Sequence, residues 1–391
     1  MVNLNISQSI SVRLLFEFKK MKKRLPILFL LLFVPLFFMY SNLVGVYDDS
    51  SSDHFPIVPD SIMNQVYNEI KTPFKYGLVI VPDKREKMVD SPSIFRNNNS
   101  WYMTYIVFDG KGYETWLAKS DNLLEWNTLG CIMSFSNNSW DDNQKAGYIA
   151  LQDYEWGGSY EVQKYNNYYW MTYLGGESTG YEAGKLKIGL AFTKDLTKVH
   201  EWNRIKKPII SPNDKDSKWY DNQTIFKSTV IWDKKKTLGY PFVMFYNAKG
   251  GNITNTVAER IAMAVSHNMK EWKRYDNSPV IDHGSGISGD AFITKIDDIW
   301  VMFYFGAFWK PGAFERFACS YDLKNWTYWK GDDLISPSED FDSQYAHKPF
   351  VIKYKGVVYH FYCAVDNKGN RGIAVATSTD LGKSKMNFQH E

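Results

Sequence analysis

The sequence predicts an all-β chain in which repeated four-stranded units close into a ring, a five-bladed β-propeller. Three observations predict it. The first is a polar phrase ending in Trp that recurs along the chain: Ser120-Asp121-Asn122-Leu123-Leu124-Glu125-Trp126, Thr193-Lys194-Asp195-Leu196 leading to Glu201-Trp202, Ser266-His267-Asn268-Met269-Lys270-Glu271-Trp272, and Ser320-Tyr321-Asp322-Leu323-Lys324-Asn325-Trp326. A worn last copy is Ser378-Thr379-Asp380-Leu381. The second is an aromatic strand ahead of each copy, ending at Tyr105, Tyr173, Tyr246, Tyr304 and Tyr362. Self-similarity at roughly 60–70 residues marks a repeat architecture and suits a four-stranded blade with variable loops. The third is short alternating segments bounded by Gly, Asn and Asp, with no long 3.6-period stretch to compete with them.

Within a unit the order is constant. An apolar strand such as Ser93-Ile94-Phe95 or Phe350-Val351-Ile352 is followed by a polar turn and the aromatic strand. A Gly-rich connection then leads to a third strand ending in Ala-x-Ser, and the Asp-Leu-x-x-Trp turn leads to a polar fourth strand. The last unit lacks a fourth strand, because the chain ends soon after Asp380. Tyr76-Gly77-Leu78-Val79-Ile80-Val81-Pro82 resembles the fourth strands Pro208-Ile209-Ile210 and Pro279-Val280-Ile281. Residues 75–83 are therefore expected to pair with Gly372–Thr377 and close the ring, removing an exposed sheet edge. A second echo, Trp140-Asp141-Asp142-Asn143-Gln144, returns as Trp219-Tyr220-Asp221-Asn222-Gln223 and Phe341-Asp342-Ser343-Gln344, and reads as a structural turn with Asp capping backbone N–H groups.

Ahead of the repeats lies one strongly apolar run, residues 24–40, behind Lys19-Lys20-Met21-Lys22-Lys23-Arg24. A basic flank before such a run reads as an export signal or an uncleaved anchor. The expected organisation is a signal or anchor segment at 1–45, with Met21 as the start and 1–20 as an extension. A tether and lead-in at 46–74 and the propeller domain at 75–385 follow. The protein is expected outside the cytoplasm, meeting a membrane only through its N-terminal segment.

Lys and Arg number 46 against 43 Asp and Glu, and no basic stripe points to nucleic acid. Three Cys (131, 319 and 363) form no Cys-x-x-Cys pair, which argues against a disulfide framework or a zinc site. Aromatic residues make up 17% of the chain, enough for blade packing and also suited to stacking on sugar rings.

The first-unit phrase Asp90-Ser91-Pro92-Ser93-Ile94-Phe95, followed by Trp101-Tyr102-Met103-Thr104-Tyr105, resembles the five-bladed propeller glycosidases: families 43 and 32, and more distantly family 130. The Ser-x-Asp-Leu-x-x-Trp turns match too. The resemblance spans roughly residues 75–385 and implies a carbohydrate-active enzyme, acting by a carboxylate acid and base on an oligo- or polysaccharide. In those families the catalytic Asp directly precedes Pro; here that column holds Ser91, with Asp90 one step upstream. Aligning the inner strands on their aromatic Tyr puts Ser91, Ser159, Asp290 and Lys348 in one column, with Glu161 two residues beyond Ser159 on the same strand face.

Glycoside hydrolysis needs two carboxyl groups across the scissile bond, one protonated and one ionised. Asp90, Glu161 and Asp290 are the candidate catalytic residues, expected to converge at the channel mouth. Lys227, His347 and Lys348 open other inner strands and are candidates for substrate contact. Trp156 is a candidate sugar platform and Glu155 a reserve carboxylate. Glu114, Arg316 and Arg371 begin third strands and are candidates for the rim. No cofactor is expected; the resemblance allows a structural metal ion at the channel axis, with His347 as its contact. Two alternatives stay open: a phosphorylase using the cationic groups, and a non-catalytic carbohydrate-binding propeller.

Overall fold

The computed structural model describes residues 57–199, 202–252 and 257–388. The basic and apolar segments assigned to export, and the whole span 1–45, lie outside those residues. Among the described residues the architecture is all-β, with one α-helix and one short 3-10 turn.

The strands fall into antiparallel groups of four. The first group is β2 (Met88–Asn97), β3 (Ser100–Phe108), β4 (Tyr113–Ser120) and β5 (Asn127–Met133). The second is β6 (Gln144–Ile149), β7 (Tyr169–Gly176), β8 (Lys187–Thr193) and β9 (Asn203–Arg204). A parallel bridge between Tyr113 and Gln144 joins the two. The third group comprises β10 (Thr224–Trp232), β11 (Phe242–Gly250), β12 (Ala258–Ser266) and β13 (Lys273–Arg274). It meets the fourth, β14 (Ile287–Ile296), β15 (Ile299–Ala307), β16 (Ala313–Ser320) and β17 (Thr327–Tyr328), through a parallel bridge between Glu259 and Ile287. The last contains β18 (Tyr345–Tyr354), β19 (Val357–Val365) and β20 (Arg371–Thr377), and its fourth strand is β1 (Phe74–Ile80). The expected pairing of N-terminal with C-terminal sequence is present, running from Phe74 opposite Thr377 to Ile80 opposite Ile373.

One buried triad explains why β1 belongs there. In the second group Asp141 accepts the Tyr173 hydroxyl at 2.8 Å and pairs with Arg204 of β9. In the third, Asp221 accepts the Tyr246 hydroxyl at 2.9 Å and pairs with Arg274 of β13. In the last, Asp342 accepts the Tyr362 hydroxyl at 2.8 Å, and its cation is Lys75 of β1. The echoed Trp-Asp-Asp-Asn-Gln turn thus carries a carboxylate that ties a middle strand to a fourth strand, and β1 supplies the cation a fourth strand supplies elsewhere. Residues past β20 cover the outer edge of β1: Ser384 donates its N–H to the Tyr76 carbonyl at 2.8 Å.

The Asp-Leu-x-x-Trp turns are locked by their own side chains. Leu123, Met269 and Leu323 are buried and take left-handed backbone, at φ 69, 66 and 66°. Their carbonyls accept the indole N–H of Trp126, Trp272 and Trp326 at 3.0, 2.6 and 2.9 Å. Trp126 then packs edge-on against Phe361 of β19, and Trp326 against Phe245 of β11, joining neighbouring groups.

Helix α1 (Asp60–Ile70) forms the later part of the expected lead-in, while residues 46–56 lie outside the described residues. Met63, Val66 and Ile70 recur on one face and are buried with Val301, Phe303 and Phe317. The helix stops before Pro73, whose ring disfavours helical backbone at the residue ahead of it.

Candidate active site

Four of the first strands carry a β-bulge at equivalent places, where two residues oppose one. They are Ser91-Pro92 on β2, Phe226-Lys227 on β10, Asp290-Ala291 on β14 and Lys348-Pro349 on β18. Ser91, Asp290 and Lys348 take left-handed backbone there, at φ 48, 55 and 65°. Such conformations are strained for residues with a Cβ and concentrate where a side chain must be aimed. Pro is tolerated at positions 92 and 349 because a bulge residue has no ladder partner for an N–H.

The bulges aim their side chains into one cavity with about 870 Å³ of open space including its mouth. Phe292 and Phe350, further along β14 and β18, pack with ring centroids 4.0 Å apart. Asp90, Lys227, Asp290, His347 and Lys348 all line the cavity, joined by Arg371.

Asp90 is buried and serves as a hub. Its Oδ2 accepts from Lys348 Nζ at 2.7 Å, Arg371 Nη1 at 3.2 Å and the Tyr181 hydroxyl at 3.2 Å, while its Oδ1 accepts the Ser91 N–H at 2.7 Å. Burial works against its charge, but Lys348 and then Arg371 outweigh it and hold the carboxyl well below the usual range. His347 donates from Nδ1 to the Cys363 carbonyl at 3.1 Å. Burial, then Lys348, pushes the imidazole down to about 3, so it is neutral with Nε2 as an acceptor. Asp290 exchanges two hydrogen bonds with Asn247, Nδ2 to Oδ1 at 2.8 Å and its own N–H to Asn247 Oδ1 at 2.7 Å. Its other oxygen and Lys227 Nζ are 3.7 Å apart, both buried and both without a hydrogen-bond partner.

Two further carboxylates line the cavity. Glu182 lies on the β7–β8 connection, a loop turned by Gly180 at φ 114° and Gly184 at φ 80°. Gln144 pins that loop, donating from Nε2 to the carbonyls of Ser178 and Gly180 at 2.8 Å each. The Glu182 carboxylate is 3.7 Å from Lys348 Nζ and accepts the Tyr113 hydroxyl at 3.4 Å. Glu259, at the start of β12, accepts from Lys249 Nζ at 3.2 Å. Burial, then the charge of Glu182, pushes its carboxyl up to about 7, with Lys249 opposing in part.

Glu161, Glu155 and Trp156 do not line this cavity. The sequence alignment took Gly157–Val162 for the first strand of the second group, but that strand is β6, which follows directly on the Trp140–Gln144 turn. The added stretch comes after β6, at the other end of the inner strands. Glu161 bridges through its backbone to Arg96 on β2. Arg96 is six residues beyond Asp90, roughly 20 Å along an extended strand. Glu155 is exposed and bridges to Lys295. Trp156 donates its indole N–H to Glu69 of α1 at 2.8 Å, which is a packing role at that end. Of the three third-strand candidates, Arg371 lines the cavity. Glu114 accepts from Trp116 and Ser134, and Arg316 is bound to Asp333.

Sequence reasoning missed Glu182 and Glu259. For Glu259 a signal existed: Tyr113, Glu259, Ala313 and Arg371 all begin third strands, three positions of pairing past the aromatic Tyr, and all line the cavity. An axial metal does not fit these residues, because Lys348 and Arg371 set two positive charges beside His347. Among the described residues no cluster of three His, Cys, Asp or Glu could hold one.

All-β groups of repeated sequence with a carboxylate-rich cavity at one end of their first strands define a propeller glycosidase. No protein-family model matches the sequence, and neither does any curated protein sequence. Solved structures do match. BT0996, in a complex with RGII, is 52% identical with a TM-score of 0.83, over 85% of the present protein and 99% of BT0996. A structure of a glycoside hydrolase matches with the same identity, TM-score and coverage. A thermostable family-43 glycoside hydrolase, at 16% identity and TM-score 0.55 over 79% of the present protein and 96% of the other, shares the fold. The protein belongs to the propeller glycoside hydrolases and acts on carbohydrate.

Proposed function

We propose that the enzyme removes a terminal sugar from an RGII-type oligosaccharide in the cavity of a five-bladed propeller, with Glu259 as proton donor and Glu182 as the second carboxylate. The observation that carries this reading is that Glu182 and Glu259 line one cavity, where burial and then the charge of Glu182 push the Glu259 carboxyl up to about 7. That separation of roles is what glycoside cleavage requires. Glu259 gives its proton to the departing oxygen as the glycosidic bond breaks. Glu182 acts on the anomeric carbon, or on the water that attacks it, from the side where Lys348 offsets its charge.

Asp90, whose carboxyl Lys348 and Arg371 hold well below the usual range, and Asp290, fixed by two hydrogen bonds with Asn247, are read as positioning groups. Each cation here lies within 4 Å of a carboxylate, at 3.7 Å for Lys227 with Asp290 and 2.7 and 3.2 Å for Lys348 and Arg371 with Asp90. That balance favours a neutral sugar over the phosphate a phosphorylase would bind.

Five groups of four strands, with Lys75 standing in for Arg204 and Arg274, support five blades closed by β1. The blades are read as one catalytic domain over 75–385, extended by α1. Export is proposed on the basic flank and apolar run at 19–40; fractionating cells that make the full-length protein or a form starting at residue 46 tests it, and equal cytoplasmic retention of both would refute it. The activity is tested by incubating the purified protein with RGII oligosaccharides and resolving the products. One released monosaccharide and an oligosaccharide shortened by one unit are expected. Internal fragments, or no product, would refute the reading.

A further inference from the structure

We propose that Phe308 forms the platform for the leaving-group sugar, the unit on the far side of the scissile bond, an inference that rests on Glu259 as proton donor. Phe308 is 66% exposed; among the large apolar side chains described, Ile57 alone is more exposed, at the edge of the described residues. Single exposed apolar residues are ordinary on a protein surface. Three features set this one apart.

The first is its backbone. Phe308 takes left-handed conformation at φ 65°, which is costly for a bulky residue and persists only where surroundings enforce it. The second is the bracing of its turn. Trp309 donates its indole N–H to the Ile287 carbonyl at 2.9 Å, stacks on His283 at 4.1 Å and meets Phe314 edge-on at 4.8 Å. The turn therefore holds a ring in solvent on a braced mount, with its outer face uncovered by the described residues. Tyr345 stands edge-on beside it at 6.5 Å.

The third feature is its neighbour. Gly286 lets the turn come close: a Cβ there would be 2.4 Å from the Ala307 carbonyl oxygen and 3.0 Å from the Phe308 carbonyl carbon. The carbonyl of the same Gly286 accepts the Glu259 N–H at 3.0 Å. One residue thus links the group that protonates the departing oxygen to the exposed ring, and both line the same cavity. A sugar whose oxygen takes the Glu259 proton has its remaining ring at the mouth, where Phe308 offers an aromatic face to its C–H groups.

The test uses the full-length protein carrying Glu259→Gln, so that substrate binds without being cut. Calorimetric titration with an RGII oligosaccharide and with the monosaccharide the wild type releases from it is compared with and without Phe308→Ala. The expected result is about tenfold weaker binding of the oligosaccharide, unchanged binding of the monosaccharide, and recovery with Phe308→Trp. Equal oligosaccharide affinity overturns the inference, as does equal weakening of both probes. A wild-type protein that neither cuts nor binds the oligosaccharide overturns the substrate reading itself, and the inference with it.

Discussion

Replacing Lys75 by Met tests whether β1 is an integral fourth strand. The change keeps most of the aliphatic length and removes the ammonium that pairs with Asp342. Asp342 is fully buried, and it keeps three donors: the Tyr362 hydroxyl at 2.8 Å and the N–H groups of Ser338 at 3.0 Å and Glu339 at 2.9 Å. Removing one partner of a buried ion pair costs about 3–5 kcal/mol. With three hydrogen bonds left on the carboxylate, the lower end, about 3 kcal/mol, applies. At roughly 2 °C per kcal/mol for a large domain, the melting temperature should fall by about 6 °C. Differential scanning calorimetry measures it, with Lys324→Met as the control: that side chain is 42% exposed in its pair with Asp276 and away from β1, so its loss should shift stability by at most about 1 kcal/mol. A Lys75→Met protein that melts with the wild type would refute the argument that β1 is held through this triad.

Other outcomes concern the carboxylates. Glu259 must hold its proton to act, so kcat/KM should fall as pH rises through about 7, and Glu182→Gln should move the Glu259 titration to lower pH in a 13C NMR experiment. Because the folded carboxyl titrates above its unfolded value, its contribution to stability is complete below about pH 4 and is lost as pH rises through about 7. Glu161→Gln should leave turnover of an RGII oligosaccharide within about twofold of wild type in steady-state assays, since its backbone is bridged to Arg96 at the other end of β2 from Asp90.

Much of the fold was legible because propeller units repeat their local chemistry. The left-handed turn keeps a buried Leu or Met three places before its Trp in three copies, and three buried triads keep Asp and Tyr with a Lys or Arg. The closing strand was legible from Pro-flanked β-branched sequence alone. The site was legible where it depends on the first strands: Asp90, Lys227, Asp290, His347 and Lys348 were named from sequence and line one cavity. It was illegible where the register departs from the repeat. β6 is short and has no bulge, so Gly158-Ser159-Tyr160-Glu161 looked like a first strand when it is an added segment at the other end. Glu182 lies in a glycine-turned loop with no periodicity to place it. Its position depends on long-range contacts: Gln144 holding the loop, and Tyr181 reaching Asp90 and Arg371. Glu259 was hidden for a different reason. It reads as an ordinary polar residue at a strand start until the third strands are laid in register.

The proton on Glu259 carries the proposed reaction. Its direct test is the rate at which the Glu259→Gln protein cleaves an RGII oligosaccharide, measured alongside its melting temperature. General acid catalysis supplies about a hundredfold to ten-thousandfold, so turnover should fall by at least a hundredfold while the protein stays folded and still binds the oligosaccharide. Turnover within tenfold of wild type in a folded Glu259→Gln protein would contradict the account.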